Sequence, residues 1–119
     1  MTDLCDIEDY HAHIYYRNKT EHTIAARIRE NVEANYDVIM GRWHNEPVGP
    51  HPVAMYQIAF SNDVFLKLVP WLMLNQQGLS VLIHPNTNDM VADHRDFPIW
   101  LGERLPLDIA FLEAVKNRI

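Results

Sequence analysis

The stretch that decides the fold is residues 79–102, LSVLIHPNTNDMVADHRDFPIWLG. Its apolar start, residues 79–83, is typical of a buried strand and leads directly into His84. A polar loop follows that is rich in Asn and Asp and carries a second histidine, His94. Loops held by rigid elements often carry chemistry, so this stretch is a candidate functional site. The same residues would also occur if Pro, Asn and Asp only formed turns here.

Composition and charge indicate a single domain, residues 1–119. The chain is 48% hydrophobic and 22% charged, as is ordinary for a globular domain. Its net charge of -6 and pI near 5.5 argue against nucleic-acid binding, which normally needs a basic surface. The single cysteine, Cys5, excludes an internal disulfide and fits a reducing compartment. Because neither a signal peptide nor a membrane span is predicted, we expect a cytoplasmic protein without a membrane partner.

Periodicity upstream of the opening stretch predicts a strand, a helix and two further strands. Residues 9–16, DYHAHIYY, alternate between two faces, as a half-buried strand does. Apolar residues at helical spacing then run from a Thr20 N-cap to about Asn35. Further strands are predicted at 37–43 and 53–60, and a proline-rich loop separates them.

A second helix, the strand at 79–83 and a C-terminal helix complete the chain. The second helix should begin at Ser61 or Asn62, and Pro70 within it should kink or split it. A last helix is predicted at 109–119. The order of these elements is that of an α+β, ferredoxin-like βαββαβ sandwich, here with a C-terminal extension.

The predicted fold brings histidines from distant parts of the chain together. We expect the first and third strands to be parallel neighbours, with the fourth strand antiparallel beside the first. The starts of strands one and three would then lie at the same edge as the end of strand four. His11, His51 and His84 would meet at that edge. His13 lies on the same face as His11, about 7 Å further along a strand that rises about 3.3 Å per residue.

The chemistry of this group predicts a transition-metal site. Seven histidines in one chain are the compositional oddity, and histidine is the commonest metal ligand. Neutral imidazoles suit iron, zinc, copper or nickel better than magnesium or calcium, which take mostly oxygen ligands. The loop after His84 could fold back and place Asp93 and His94 over the cluster.

Each of these residues has a simpler structural interpretation as well. His11 and His13 could be polar residues on a solvated sheet face. His51, between two prolines, could be a turn residue. Tyr15 and Gln57 share the predicted histidine face and could contact a ligand or only pack. The sequence leaves these alternatives open.

Three segments together carry a family resemblance. They are YHAHIYY at 10–16, GPHPVAMYQIAF at 49–60 and the opening stretch at 79–102. In this order they resemble the DOPA 4,5-dioxygenase family, over a span from about Tyr10 to Asp108. One departure is Asn88, which stands where the family pattern favours a glycine. Asn tolerates a left-handed backbone, so the turn should form.

The resemblance implies a ferredoxin-like α+β domain that commonly associates as a homodimer. It also implies an extradiol ring-cleaving dioxygenase that uses non-haem ferrous iron, with DOPA or a related catechol and O2 as substrates. On this hypothesis His11, His51 and His84 hold Fe(II), and His13 is a fourth ligand or lies just outside the ligand set. Zinc, copper or nickel could occupy the same site in the purified protein.

The remaining site residues receive roles from the same hypothesis. His94 is the candidate catalytic acid and base, and Asp93 would orient it. Arg95 would pair with a carboxylate of the substrate, and Tyr15 and Gln57 would line the substrate site. The alternative function is a non-catalytic dimeric module of ferredoxin-like fold that binds a metal or a small molecule, because fold alone does not fix function.

Overall fold

A computed structural model describes residues 1–118 as one antiparallel sheet with helices on both faces. The elements are β1 (Asp9–Tyr15), α1 (Lys19–Asn35), β2 (Ile39–Met40), β3 (Met55–Phe60), α2 (Asn62–Asn75), β4 (Val81–Asn86), α3 (Met90–Arg95), β5 (Ile99–Leu101) and α4 (Ile109–Asn117), after a short 3-10 turn at Leu4–Asp6. The strand order is β2-β3-β1-β4-β5. The predicted α+β class and ferredoxin-like core are confirmed, and β5 and α4 form the C-terminal extension.

The alternation of β1 assigns its residues to the two faces as predicted. Ala12 and Ile14 are fully buried in the apolar core beneath α1 and α2. Because successive strand residues point to opposite faces, His13 and Tyr15 lie on the other side of the sheet. The helices contribute the matching apolar residues of this core, which are Ala25, Ile28, Val32, Leu68, Val69 and Leu72.

The face that carries the histidines is also buried. Tyr15 and Leu82 are fully buried there, and Leu105 from the segment before α4 packs on them. Trp100 of β5 stacks on Tyr15 at a ring-centroid distance of 6.0 Å. The interpretation of this face as solvated therefore does not hold for His13, which is 3% exposed.

The predicted direction of β3 was wrong. β1 and β3 are antiparallel, and Tyr15 lies opposite Met55 at the start of β3. β2 runs parallel to β1 after the crossover through α1, and the turn after β2 reverses the chain, so β3 begins beside the end of β1. His51 therefore reaches the other histidines by a different route, described below.

Four elements differ from prediction because short or polar segments carry little periodic signal. β2 has only two residues where a strand at 37–43 was expected. β4 continues through His84 to Asn86, where it pairs with Asp9. The predicted polar loop contains the six-residue helix α3, and the apolar segment after it forms β5 on the edge of the sheet.

The helix ends show which residues cap them. α1 begins two residues earlier than predicted because the side chain of Asn18, not Thr20, accepts a hydrogen bond from the Glu21 N–H at 2.9 Å. α2 passes through Pro70 as one helix and is not split. α4 ends at Asn117, and Ile119 of the predicted last helix lies outside the described residues. Within residues 1–118, every helix is too short or too polar to cross a bilayer.

Candidate metal centre

The register of β1 and β4 builds the centre of the site. His11 and His84 are direct cross-strand partners, and His13 follows two residues along on the same face. Each of the three offers a ring nitrogen, and these nitrogens all lie within 4.8 Å of one another. The sheet thus fixes three imidazoles around one point.

His13 and His84 make the closest approach. Their Nε2 atoms are 3.1 Å apart. Two nitrogens bound to one metal at about 2.1 Å each would lie about 3.0–3.4 Å apart at angles of about 90–109°. The Nδ1 of His84 is 2.9 Å from the Pro85 carbonyl oxygen, to which it donates as an N–H, so its Nε2 carries the lone pair. This arrangement suits two adjacent ligands of the same metal ion.

His94 lies on α3, next to His84, with a ring-centroid distance of 4.1 Å. Its Nδ1 is 2.7 Å from the Met90 carbonyl oxygen, one helical turn back, and donates to it. That bond leaves the Nε2 lone pair free to face the cluster. The orienting hydrogen bond of His94 therefore comes from the backbone of its own helix.

His51 approaches the cluster from the loop between β2 and β3. This loop turns at Gly49, whose φ of 56° suits glycine, and Pro50 accepts a hydrogen bond from the Asp108 N–H at 2.9 Å. The His51 ring comes to 4.3 Å from the His13 ring, centroid to centroid. A tethered loop, not the end of a strand, brings His51 to the site.

Tyr15 forms a hydrogen bond with Nδ1 of His51 and so fixes the orientation of that ring. Its hydroxyl is 2.7 Å from His51 Nδ1, and both side chains are buried. Burial raises the pKa of the Tyr15 hydroxyl far above its usual range, so the phenol stays protonated. If His51 Nδ1–H donates to the Tyr15 oxygen, His51 Nε2 is free to bind a metal.

Burial keeps the imidazoles neutral. Together with a smaller effect of the neighbouring histidines, it lowers the pKa of His84 to about 3 and that of His51 to about 4. Burial also lowers the pKa of His13 well below its ordinary value, with further lowering by the surrounding histidines. Neutral imidazole is the form that binds metals.

The residues present fit a transition metal. His13 Nδ1 is buried and has no hydrogen-bond partner among the described residues. If His13 binds the metal through Nε2, the nitrogen that faces His84, its Nδ1 keeps the proton and gains no partner from the metal, so the fit rests on the set of neutral imidazole donors. The close pair of Nε2 atoms and the neutral donor set agree with the same conclusion.

The other predicted site residues lie at varying distances from this centre. Gln57 is half-buried on β3 directly opposite His13. Asp93 is 2% exposed, and its two oxygens accept from the backbone and hydroxyl of Thr87 at 2.9 and 2.6 Å. The Asp93 carboxylate thus holds the loop before α3. Arg95 is exposed and paired with the adjacent Asp96 at 2.9 Å.

Sequence inspection missed two parts of the site. The first is the bond between Tyr15 and His51, which depends on the fold of a loop. The second is Arg104, which lines a cavity beside His94 together with Trp100. Arg104 lies outside every motif, and its position depends on the chain turning back after β5. No pattern in the sequence signals either feature.

The fold and the histidine cluster define a class of small α+β proteins with a candidate metal site, and comparison with known proteins identifies the family within that class. Residues 10–111 match the model of the Dopa 4,5-dioxygenase family. The chain therefore belongs to the DOPA 4,5-dioxygenase family, as its sequence motifs predicted.

Individual relatives agree with this membership. An uncharacterized 21.2 kDa protein of Botryotinia fuckeliana is 34% identical over 119 residues, or 92% of this chain. The DOPA 4,5-dioxygenase of Amanita muscaria is 33% identical over 122 residues, or 96% of this chain. The matches span 65% and 54% of the lengths of these two fungal proteins.

A solved structure shares the whole fold. The crystal structure of a proposed dioxygenase from Nostoc punctiforme is 46% identical and superposes with a TM-score of 0.94, covering 97% of this chain and 99% of that one. The family and the names of these relatives support a dioxygenase-like function.

Proposed function

We propose that this protein is an extradiol ring-cleaving dioxygenase that acts on DOPA or a related catechol with O2 and non-haem Fe(II). The observation that supports it most is the set of three ring nitrogens of His11, His13 and His84 within 4.8 Å. Family membership supports the reaction class. The homodimer that the resemblance implies is proposed with it.

The proposed ligands come first from the sheet. His11, His13 and His84 would hold the metal, and His51 would complete the set from its loop. Ferrous iron, when bound, supplies the one-electron and O2 chemistry that amino-acid side chains lack. The protein contributes position, charge and exclusion of water.

His94 is the proposed acid and base. Burial lowers its pKa, so the ring is neutral at pH 7 and can accept a proton from a catechol hydroxyl. Its Nδ1–H is held by the Met90 carbonyl, so Nε2 is the atom that would take the proton and later return it. Asp93, adjacent in the chain, raises the His94 pKa through its charge and would stabilise the protonated ring.

The surroundings of the centre exclude water from one side. Tyr15, Leu82 and Leu105 form an apolar layer on the histidine face and are at most 7% exposed. Burial in such a layer strengthens the electrostatic interactions of groups next to it. We assign Tyr15 a positioning role toward His51 and keep Gln57, opposite His13, as a candidate substrate contact.

The test is oxygen uptake by protein that has been loaded with Fe(II) under anaerobic conditions. Addition of DOPA or 4-methylcatechol and then O2 should give stoichiometric oxygen consumption and a new absorbing ring-cleavage product. His84→Gln should abolish both signals, whereas His22→Gln should keep them because His22 packs on Trp43 beside α1, away from the centre. Bound metal without oxygen uptake across a catechol panel would instead favour the non-catalytic binding module.

A further inference from the structure

A cavity of about 160 Å3 adjoins the proposed acid and base, His94. Its lining consists of His94, Arg95, Trp100, Arg104, Leu105, Pro106, Leu107 and Ile109. The cavity lies on the histidine face, since Trp100 and Leu105 pack there around Tyr15. A molecule inside it would lie next to His94.

The charge of this cavity is opposite to that of the whole protein. The chain has 16 acidic and 10 basic residues, yet the lining holds two arginines and no carboxylate. Concentration of one sign of charge in a concave site favours a ligand of the other sign. The cavity therefore suits an anion.

The two arginines are not equivalent. Arg95 donates from Nε and Nη2 to the two oxygens of Asp96 at 2.9 and 3.0 Å, so its planar edge is already used. Arg104 is exposed and makes no hydrogen bond or ion pair with any residue from 1 to 118. Arg104 is thus the guanidinium available to a ligand.

The remaining walls are apolar and include one large ring. Trp100 is half-buried and is held from behind by Tyr15. Leu105 and Leu107 pack beside it. A flat apolar body with a single anionic end would match these walls, and a guanidinium pairs with a planar carboxylate through two hydrogen bonds.

We propose that Arg104 is a specificity-determining residue that binds the carboxylate of an aromatic acid whose ring lies along Trp100 toward His94. The inference deepens the proposed function and rests on it for one point, that the ring is a catechol. The preferred substrates are then catechols with a carboxylate side chain, over neutral or cationic catechols of similar size.

Binding can be tested without the reaction. 3-Phenylpropionate, which has no hydroxyl groups to react, is titrated into metal-free protein while the indole N–H resonances of the three tryptophans are followed. The Trp100 resonance should shift, and those of Trp43 and Trp71 should not. Arg104→Gln should weaken binding about tenfold or more, since hydrogen bonds to charged groups contribute about 1.5–3 kcal/mol.

Matched controls separate the charge effect from a change in fold. Arg42→Gln removes another exposed arginine, one that is not part of the cavity lining, and should leave the affinity unchanged. Arg104→Lys should restore part of the affinity. The neutral 3-phenylpropan-1-ol should bind wild type and Arg104→Gln equally. Equal binding of 3-phenylpropionate to wild type and a folded Arg104→Gln, or no Trp100 shift, would overturn the proposal.

Activity then distinguishes the two proposals. Fe(II)-loaded wild type should give a higher kcat/KM for 3,4-dihydroxyphenylpropionate than for 4-ethylcatechol, and Arg104→Gln should remove that preference through KM. If wild type and Arg104→Gln both consume oxygen and show the same preference between the two catechols, the dioxygenase proposal stands and the carboxylate site is rejected. If binding depends on Arg104 but no catechol leads to oxygen consumption, the dioxygenase proposal is rejected and the carboxylate site is kept.

Discussion

The two faces of the sheet are both buried, but they are built for different purposes. Tyr56 and Tyr15 show the contrast, since each is fully buried and each makes one hydrogen bond of 2.7 Å. On the side of α1 and α2, the Tyr56 hydroxyl donates to the Ala25 carbonyl within an apolar core. On the side of α3 and α4, the Tyr15 hydroxyl holds His51 beside other imidazoles. The tyrosine on the first face is satisfied by the backbone, whereas the tyrosine on the second face orients an imidazole whose other nitrogen is left for a ligand.

The largest expected difference between the two faces is in how the free energy of unfolding depends on pH, because the buried histidines lie on only one of them. In unfolded chains, histidines take up protons near pH 6.5, whereas burial lowers the pKa of His51 and His84 to about 4 and about 3. Below pH 6.5 the unfolded state therefore binds more protons, and the free energy of unfolding of the metal-free protein falls until pH passes the folded-state values. Between pH 7 and pH 5 we expect a loss of about 2 kcal/mol for each of the two, about 4 kcal/mol together.

Urea denaturation of metal-free protein at pH 7 and pH 5 measures this loss. His84→Gln should reduce the difference in stability between pH 7 and pH 5 by about 2 kcal/mol, the contribution of His84 itself. A stability that is flat over this interval would mean that the histidine face is not kept neutral by folding.

The next effect is on metal affinity. Replacing His84 by Gln should weaken binding of Fe(II), or of Zn(II) as a substitute, by at least about a hundredfold, because changes even to residues behind the ligands cost about 10–100-fold. The matched change on the opposite face is Leu68→Ala, which should lower the free energy of unfolding by about 2–5 kcal/mol. Metal titration of folded protein should show near wild-type affinity for Leu68→Ala, and equal losses in both variants would erase the distinction between faces.

The two tyrosines give a sharper version of the comparison. Tyr15→Phe removes the partner of His51 Nδ1 and should weaken metal binding about tenfold or more. Tyr56→Phe removes the bond to Ala25 and should cost about 1 kcal/mol of stability with no change in metal affinity. Calorimetric metal titration and denaturation of both variants decide whether the two effects separate. A Tyr15→Phe protein with unaltered metal affinity would exclude the positioning role.

The smallest expected effect tests whether general stability influences the centre. Asn18→Ala removes the N-cap of α1 and should lower the free energy of unfolding by about 1 kcal/mol. Thermal unfolding measures the change, and metal affinity should not alter because α1 lies on the opposite face. Asn18→Asp, which can still accept from the Glu21 N–H, serves as the control and should stay near wild type.

Features that follow from a periodic pattern of apolar residues could be predicted from the sequence. Features that depend on short elements or on contacts between distant segments could not. The alternation of β1 placed His11, His13 and Tyr15 on one face correctly, because side chains of a strand alternate whatever surrounds it. α3 was missed because six residues with polar caps give too little helical periodicity. β5 was missed because its three residues are too few to show the alternation that identifies a strand.

His51 is the most instructive case. It was expected beside the other histidines from a strand direction that is wrong, yet the structure places its ring 4.3 Å from that of His13. The loop that carries it is fixed by the bond between Pro50 and Asp108, residues far apart in the chain. No local pattern encodes such a contact, so the sequence could not place the loop that carries His51.

The hydrogen bond from Asp108 to Pro50 also has a consequence for the order in which the site is completed during synthesis. β1 and β4 can bring His11 and His84 together once the ribosome has released the first four strands. The segment that pins the His51 loop, and the α4 helix that packs against α3, follow the sheet in the chain and leave the ribosome after it. We expect the nascent protein to form β1 and β4 first and to fix His51 beside the other histidines only after Asp108 has emerged. A metal that arrives before that point would meet an incomplete set of histidines.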